Sequence, residues 1–130
     1  MKKQIILLTS LFLLLGSLAL NAQDAQQECN IKYNLFKGDY QSKKYDDAYP
    51  NWMYLMDNCQ KLSINVYKLG DKLAQVRFKN AENKTEAAAL VKRVYTQRLE
   101  NYPTNDPAKA HSNYATFLIK NKLASDQEVF

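Results

Sequence analysis

Between positions 45 and 59, Tyr45, Ala48, Tyr49, Trp52, Leu55, Met56 and Cys59 recur at steps of 3, 1, 3, 3, 1 and 3. Side chains spaced that way line one face of an α-helix. The rhythm returns along most of the chain. Ile31, Leu35 and Asp39 form one line, and Tyr33, Phe36 and Tyr40 form another. Leu62, Val66, Leu69, Leu73 and Val76 follow a near-heptad spacing. Ala87, Leu90, Val91, Val94, Tyr95, Leu99 and Tyr102 make a further stripe, and Ala110, Tyr114, Phe117, Leu118 and Ile119 the last. Stripes of this kind bury their apolar surface by packing helix on helix. With 3 glycines and 3 prolines in 130 residues, turn formers are too few for an all-β or loop-rich fold. The expected class is all-α, in one domain.

The spacing predicts helices over 28–42, 46–59, 62–80, 84–101 and from 106 to about 123. Pro50 fits a helix only in its first turn, so the second helix either starts near Asp47 or bends at Pro50. Asn101-Tyr102-Pro103 stops the fourth, because the residue before Pro avoids the helical region. Asp106 as cap with Pro107 in the first position starts the fifth. Ser125-Asp126-Gln127-Glu128 reads as a capping box, and Val129 and Phe130 open a new apolar stripe. A sixth helix is announced there, so the expectation is the front piece of a longer repeat protein. The alternative is a short terminal turn that lays Phe130 on helix five.

The first residues have a different character. Lys2 and Lys3 precede an apolar run over 5–20, broken only by Thr9, Ser10, Gly16 and Ser17. A polar stretch follows. This is the three-part layout of a secretory signal peptide over 1–22, with the cut expected between Ala22 and Gln23. A short polar linker over 23–27 then leads into a helical domain over 28–130. An uncleaved membrane anchor is the competing reading, and a run of about 16 residues is short for roughly 30 Å of hydrocarbon. Gln26-Gln27-Glu28 before Cys29 does not resemble a lipid-attachment site.

Export would change the chemistry of the two cysteines, since thiols outside the cytoplasm tend to oxidise. Cys29 falls at the start of helix one and Cys59 at the end of helix two. In an antiparallel hairpin those ends lie side by side, so a Cys29–Cys59 disulfide is expected. The alternative is two unpaired thiols, with Cys59 filling a core position.

The helices come in pairs joined by short turns, at a pitch of about 43 residues, which is the pattern of an α-solenoid built from antiparallel helix pairs. Leu35-Phe36, Tyr45-Asp46-Asp47-Ala48, Trp52 and Leu55 resemble one tetratricopeptide-repeat unit. Phe36 stands where that family has a small residue. Leu69-Gly70 is similar to the Leu-Gly pair of a following unit, Ala87 to Ala89 to its small contact, and Pro103 to the unit-ending proline. With the leader, Cys29 and the segment 51–59, the chain resembles exported tetratricopeptide-repeat proteins of Bacteroidetes-type bacteria. The resemblance implies helix A faces lining a concave groove that holds a segment of another protein.

Residues for catalysis are sparse. The glycines are isolated and form no phosphate loop, and no Gly-x-Ser-x-Gly elbow occurs. His111 is the only histidine, and Asp106 is the only acid near it, so no positioned acid–base pair is apparent. Two cysteines and one distant histidine make no zinc ligand set. No catalytic residue, cofactor or metal is expected. Asp46, Asp47 and Asp57 read as acids suited to a helix start. Asn83-Lys84-Thr85 fits a glycosylation sequon and reads as the entry to helix four. Most aromatic residues fall on core stripes. Tyr54 falls off the stripe of helix two and is the expected exposed contact for a partner.

Charge adds one exclusion. The formal net charge is +5, and it falls to +3 when Lys2 and Lys3 are set aside. The basic residues are interspersed with acidic ones, so nucleic-acid binding has little support. The function expected is an exported protein–protein interaction scaffold without catalysis, in the periplasm or cell envelope of a Gram-negative bacterium. Its partner would be another protein or a peptide segment. The alternatives are the N-terminal helical accessory domain of a larger envelope enzyme and a helical protein held to the membrane by an uncleaved leader.

Overall fold

A computed structural model describes the backbone over residues 2–123 and the side chains over 21–123. The described residues are all-α: α1 (Lys2–Gln41), α2 (Tyr45–Asn58), α3 (Asn65–Asn80), α4 (Lys84–Asn101) and α5 (Pro107–Lys120), with no strand. The expected sixth helix and most side chains of the expected signal peptide lie outside the described residues.

The first helix differs from expectation. It runs unbroken from Lys2, and residues 23–27, expected to be a linker, are helical. Gln and Ala in that stretch are good helix formers, so a polar composition did not need to mean a break. Pro50 also resolves differently from its first alternative. α2 begins at Tyr45, ahead of Pro50, which lies exposed inside the helix. Its missing N–H costs one bond, and exposure leaves the freed carbonyl to water. Other ends follow their caps. Asn83 Oδ1 accepts from Glu86 N at 3.1 Å at the start of α4, and Asp106 Oδ1 accepts from Lys109 N at 3.2 Å at the start of α5. Lys84 Nζ donates to the carbonyls of Phe78 at 2.6 Å and Lys79 at 2.9 Å, closing the end of α3.

Sequential neighbours pack together: α1 along α2, α3 along α4, α5 against α4, with α2 and α3 forming the seam between hairpins. In α1 the line Tyr33, Phe36 and Tyr40 faces the body, and Phe36 is fully buried. Ile31 and Leu35, on the other line, stay about half exposed at 51% and 50%. Cys29 and Cys59 form the expected disulfide, with Cα atoms 5.8 Å apart. Because Gln41 and Tyr45 are joined by a short turn and Cys29 meets Cys59 at the far end, α1 and α2 run antiparallel.

The seam is built on one tryptophan. Trp52 is fully buried, and its Nε1–H donates to Val66 O at 2.9 Å, so its one polar atom is satisfied across α2 and α3. Opposite the indole stands Gly70. A Cβ placed there would lie 2.6 Å from Trp52 Cε2 and 2.8 Å from Cζ2. The glycine inside α3 is therefore a packing requirement of this seam.

Tyr67 closes the other end of the α3–α4 hairpin. Its hydroxyl donates to Gln60 O at 2.8 Å, and its ring meets Tyr102 edge-on at 5.9 Å. Burial, with Tyr102 nearby, pushes its pKa up to about 12, against the opposing pull of Arg93 and Asn101. A tyrosine held neutral in the fold releases its proton more easily when unfolded, near its ordinary 10. Stability from this group is thus complete below pH 10 and lost as pH rises towards 12. Thermal melts should fall across that interval, and Tyr67→Phe should make the fall shallower. An unchanged slope in the variant would dissociate Tyr67 from the alkaline transition.

Candidate functional site

An open groove of about 640 Å³ lies between α2, the end of α3 and the first half of α4. Tyr45, Tyr49 and Met53 supply the α2 wall, and Ala87, Leu90 and Arg93 the α4 wall, with Val76 and Arg77 from α3 between them. The small side chains of Ala81, Ala87 and Ala89 leave the space, which no larger residue fills. No residue of α1 or α5 lines it. The resemblance implied a groove lined by the first helix of each pair; this one is walled mainly by the second helices.

Two arginines shape its electrostatics. The Arg77 guanidinium lies 3.6 Å above the centre of the Tyr49 ring, a cation–π contact that fixes its plane. Its ion partner is Asp46 at 3.7 Å, whose side chain is fully exposed, so that pair is weak. Arg93 is better satisfied. Its Nη2 donates to Asp57 Oδ1 at 2.6 Å and to Met56 O at 3.2 Å. Asp57 was expected among helix-start acids; it stands instead in the last turn of α2, where the dipole disfavours it and Arg93 compensates.

A second cleft, of about 540 Å³, borders the disulfide and is lined by Cys29, Asn58, Cys59, Gln60 and Asn101, among others. Both cysteines are buried, so the bridge itself is shielded. Between α3 and α4 lies a polar cluster. Gln75 Nε2 donates to Asp71 Oδ1 at 2.7 Å, and Arg98, only 6% exposed, donates to Asn105 O at 3.4 Å. Tyr95 Oη and Arg98 Nε are buried without a hydrogen-bond partner among the described residues. Burial and then the neighbouring Asp71 carboxylate hold the Tyr95 pKa well above its ordinary value.

The residues singled out in the sequence fall as follows. Tyr54, expected as a free contact, is half-buried on the α1–α2 seam, with Lys32 Nζ 5.4 Å from its ring centre. A hydrogen bond to Glu28 raises its pKa, with burial a lesser cause. Ala22 and Gln23, the expected cut, are exposed and helical within α1. His111 is exposed early in α5, and Asp106 serves as that helix's cap. Among the described residues no three His, Cys, Asp or Glu side chains gather in a metal-binding geometry, and no helix is long and apolar enough to cross a membrane. The groove residues Arg77, Met53 and Leu90 were not anticipated as a site. Met53 and Arg77 fall off the apolar stripes of their helices and Leu90 falls on one, so the spacing did not set the three apart. No family model matches the chain, and comparison with curated proteins and with solved structures finds no match.

Proposed function

We propose that this chain is an exported scaffold that holds a segment of another protein, built of tetratricopeptide-like helix pairs and without catalysis of its own. The observation that carries the proposal is the open groove. Tyr49, Met53, Val76, Ala87 and Leu90 give it apolar walls, and Asp46, Arg77, Glu86 and Arg93 add charge around them. An apolar centre ringed by polar groups is the general anatomy of a protein recognition surface. The α1–α2 and α3–α4 hairpins, with α5 opening a third, are compatible with solenoid stacking. A disulfide is compatible with an oxidising compartment, so the same proposal takes in a cleaved leader and residence in the periplasm or envelope of a Gram-negative bacterium.

The test uses the full chain, expressed in a Gram-negative host and recovered from its envelope fraction. Wild type should retain a defined protein from envelope extract. Met53→Glu, which sets a charge in the apolar wall, should lose that retention by about tenfold or more. Retention of nothing by wild type, or equal retention by the variant, would count against the groove as the site.

A further inference from the structure

The groove wall holds an oxidisable sulfur. Of the three methionines in the chain, Met1 lies outside the described residues, Met56 is fully buried in the core, and Met53 is partly exposed where α2 lines the groove. Met53 and Met56 share one helix three positions apart, so packing rather than local sequence sets their difference in access. The remaining sulfurs are those of Cys29 and Cys59, which are bonded to each other and buried. Met53 is therefore the sulfur-bearing side chain most open to a dissolved oxidant among the described residues. With hydrogen peroxide the thioether lone pair attacks one peroxide oxygen, and the S–O bond forms as the O–O bond breaks. The leaving hydroxide takes the proton from the sulfur-bound oxygen and departs as water. Sulfur gives up two electrons and the peroxide accepts them. The product matters because of where it forms. A thioether is a soft, adaptable apolar filler, whereas a sulfoxide is polar and carries an acceptor oxygen. A guest packed on the thioether must strip water from that oxygen to keep the same contact.

We propose that Met53 is a reversible modification site, through which a hydroperoxide loosens the groove's hold on its guest. This deepens the reading of the groove as a recognition site and rests on it. Reversal needs no new contact, because methionine sulfoxide reductases remove the same oxygen and restore the thioether.

The full chain, recovered from the envelope fraction, is treated with hydrogen peroxide, and the excess is removed with catalase. Mass spectrometry of its peptides then reads each methionine, and retention from envelope extract is measured in parallel. In the folded protein Met53 should gain one oxygen about tenfold or more faster than Met56, and in guanidinium the two rates should converge. Retention should fall by about tenfold as Met53 oxidises, and return after treatment with reductases for both sulfoxide epimers. Circular dichroism checks that the treated protein keeps its helices. Met53→Leu, whatever its own starting level, should retain as much after peroxide as before. Met56 oxidising as fast as Met53 in the fold, treated wild type retaining as much as untreated, or Met53→Leu losing retention on treatment would each overturn the proposal. Untreated wild type that retains nothing would sink the recognition reading and this inference with it, whereas retention indifferent to peroxide would sink this inference alone.

Discussion

Gly70→Ala is expected to lower the melting temperature by about 10 °C, corresponding to about 2 kcal/mol in a domain of this size. In an isolated helix the same change stabilises, because alanine is the better helix former by about 1 kcal/mol. Here the new methyl must enter the space of the Trp52 indole, and the indole is held from the other side by its bond to Val66 O. Moving the ring away gives up that bond and the packing of a fully buried side chain. A double variant with Trp52→Phe separates the two effects. The smaller ring gives the methyl room, so Gly70→Ala should cost much less in that background. An equal cost in both backgrounds would show that the clash is not with Trp52.

Removing the Cys29–Cys59 bridge should cost about 3–4 kcal/mol, the loop-closure value for cysteines 30 residues apart. The Cys29→Ala/Cys59→Ala variant and wild type reduced in denaturant and refolded with reductant should melt alike, well below the oxidised protein. Exchange of backbone amides should accelerate around Cys29 and in the 59–64 connection, while α4 and α5 change little locally. An untreated wild type that melts like the Cys29→Ala/Cys59→Ala variant would mean that the bridge is absent from the protein in solution.

Much of this fold was legible as periodicity. The positions of α2 to α5 follow from apolar spacing, and the ends of α4 and α5 from Asn83, Asp106 and Pro107. The disulfide followed from placing two cysteines at the open end of a hairpin. Three features were not legible, each for its own reason. α1 carries two apolar lines at equal spacing, so the sequence alone did not say whether Leu35 or Phe36 turns inward. The longer aromatic side chains of Tyr33, Phe36 and Tyr40 took the core. Polarity over 23–27 suggested a linker, whereas helix propensity continued α1. The groove depends on how one hairpin sits against the next. Arg93 finds Asp57 across 36 positions and Arg77 finds Tyr49 across the α2–α3 seam. No local spacing encodes such pairs. Tyr54 shows the converse: off the stripe of its own helix, it was claimed by the neighbouring one.

The placement of Trp52 gives the molecule an optical reporter. It is the sole tryptophan, its indole is sealed where α2 meets α3, and its N–H is bound to α3. Any motion that parts the first hairpin from the second admits solvent to this fluorophore and shifts its emission to longer wavelength. Opening and closing between the hairpins, whether from binding, heating or denaturant, is therefore readable in unlabelled protein at a single position.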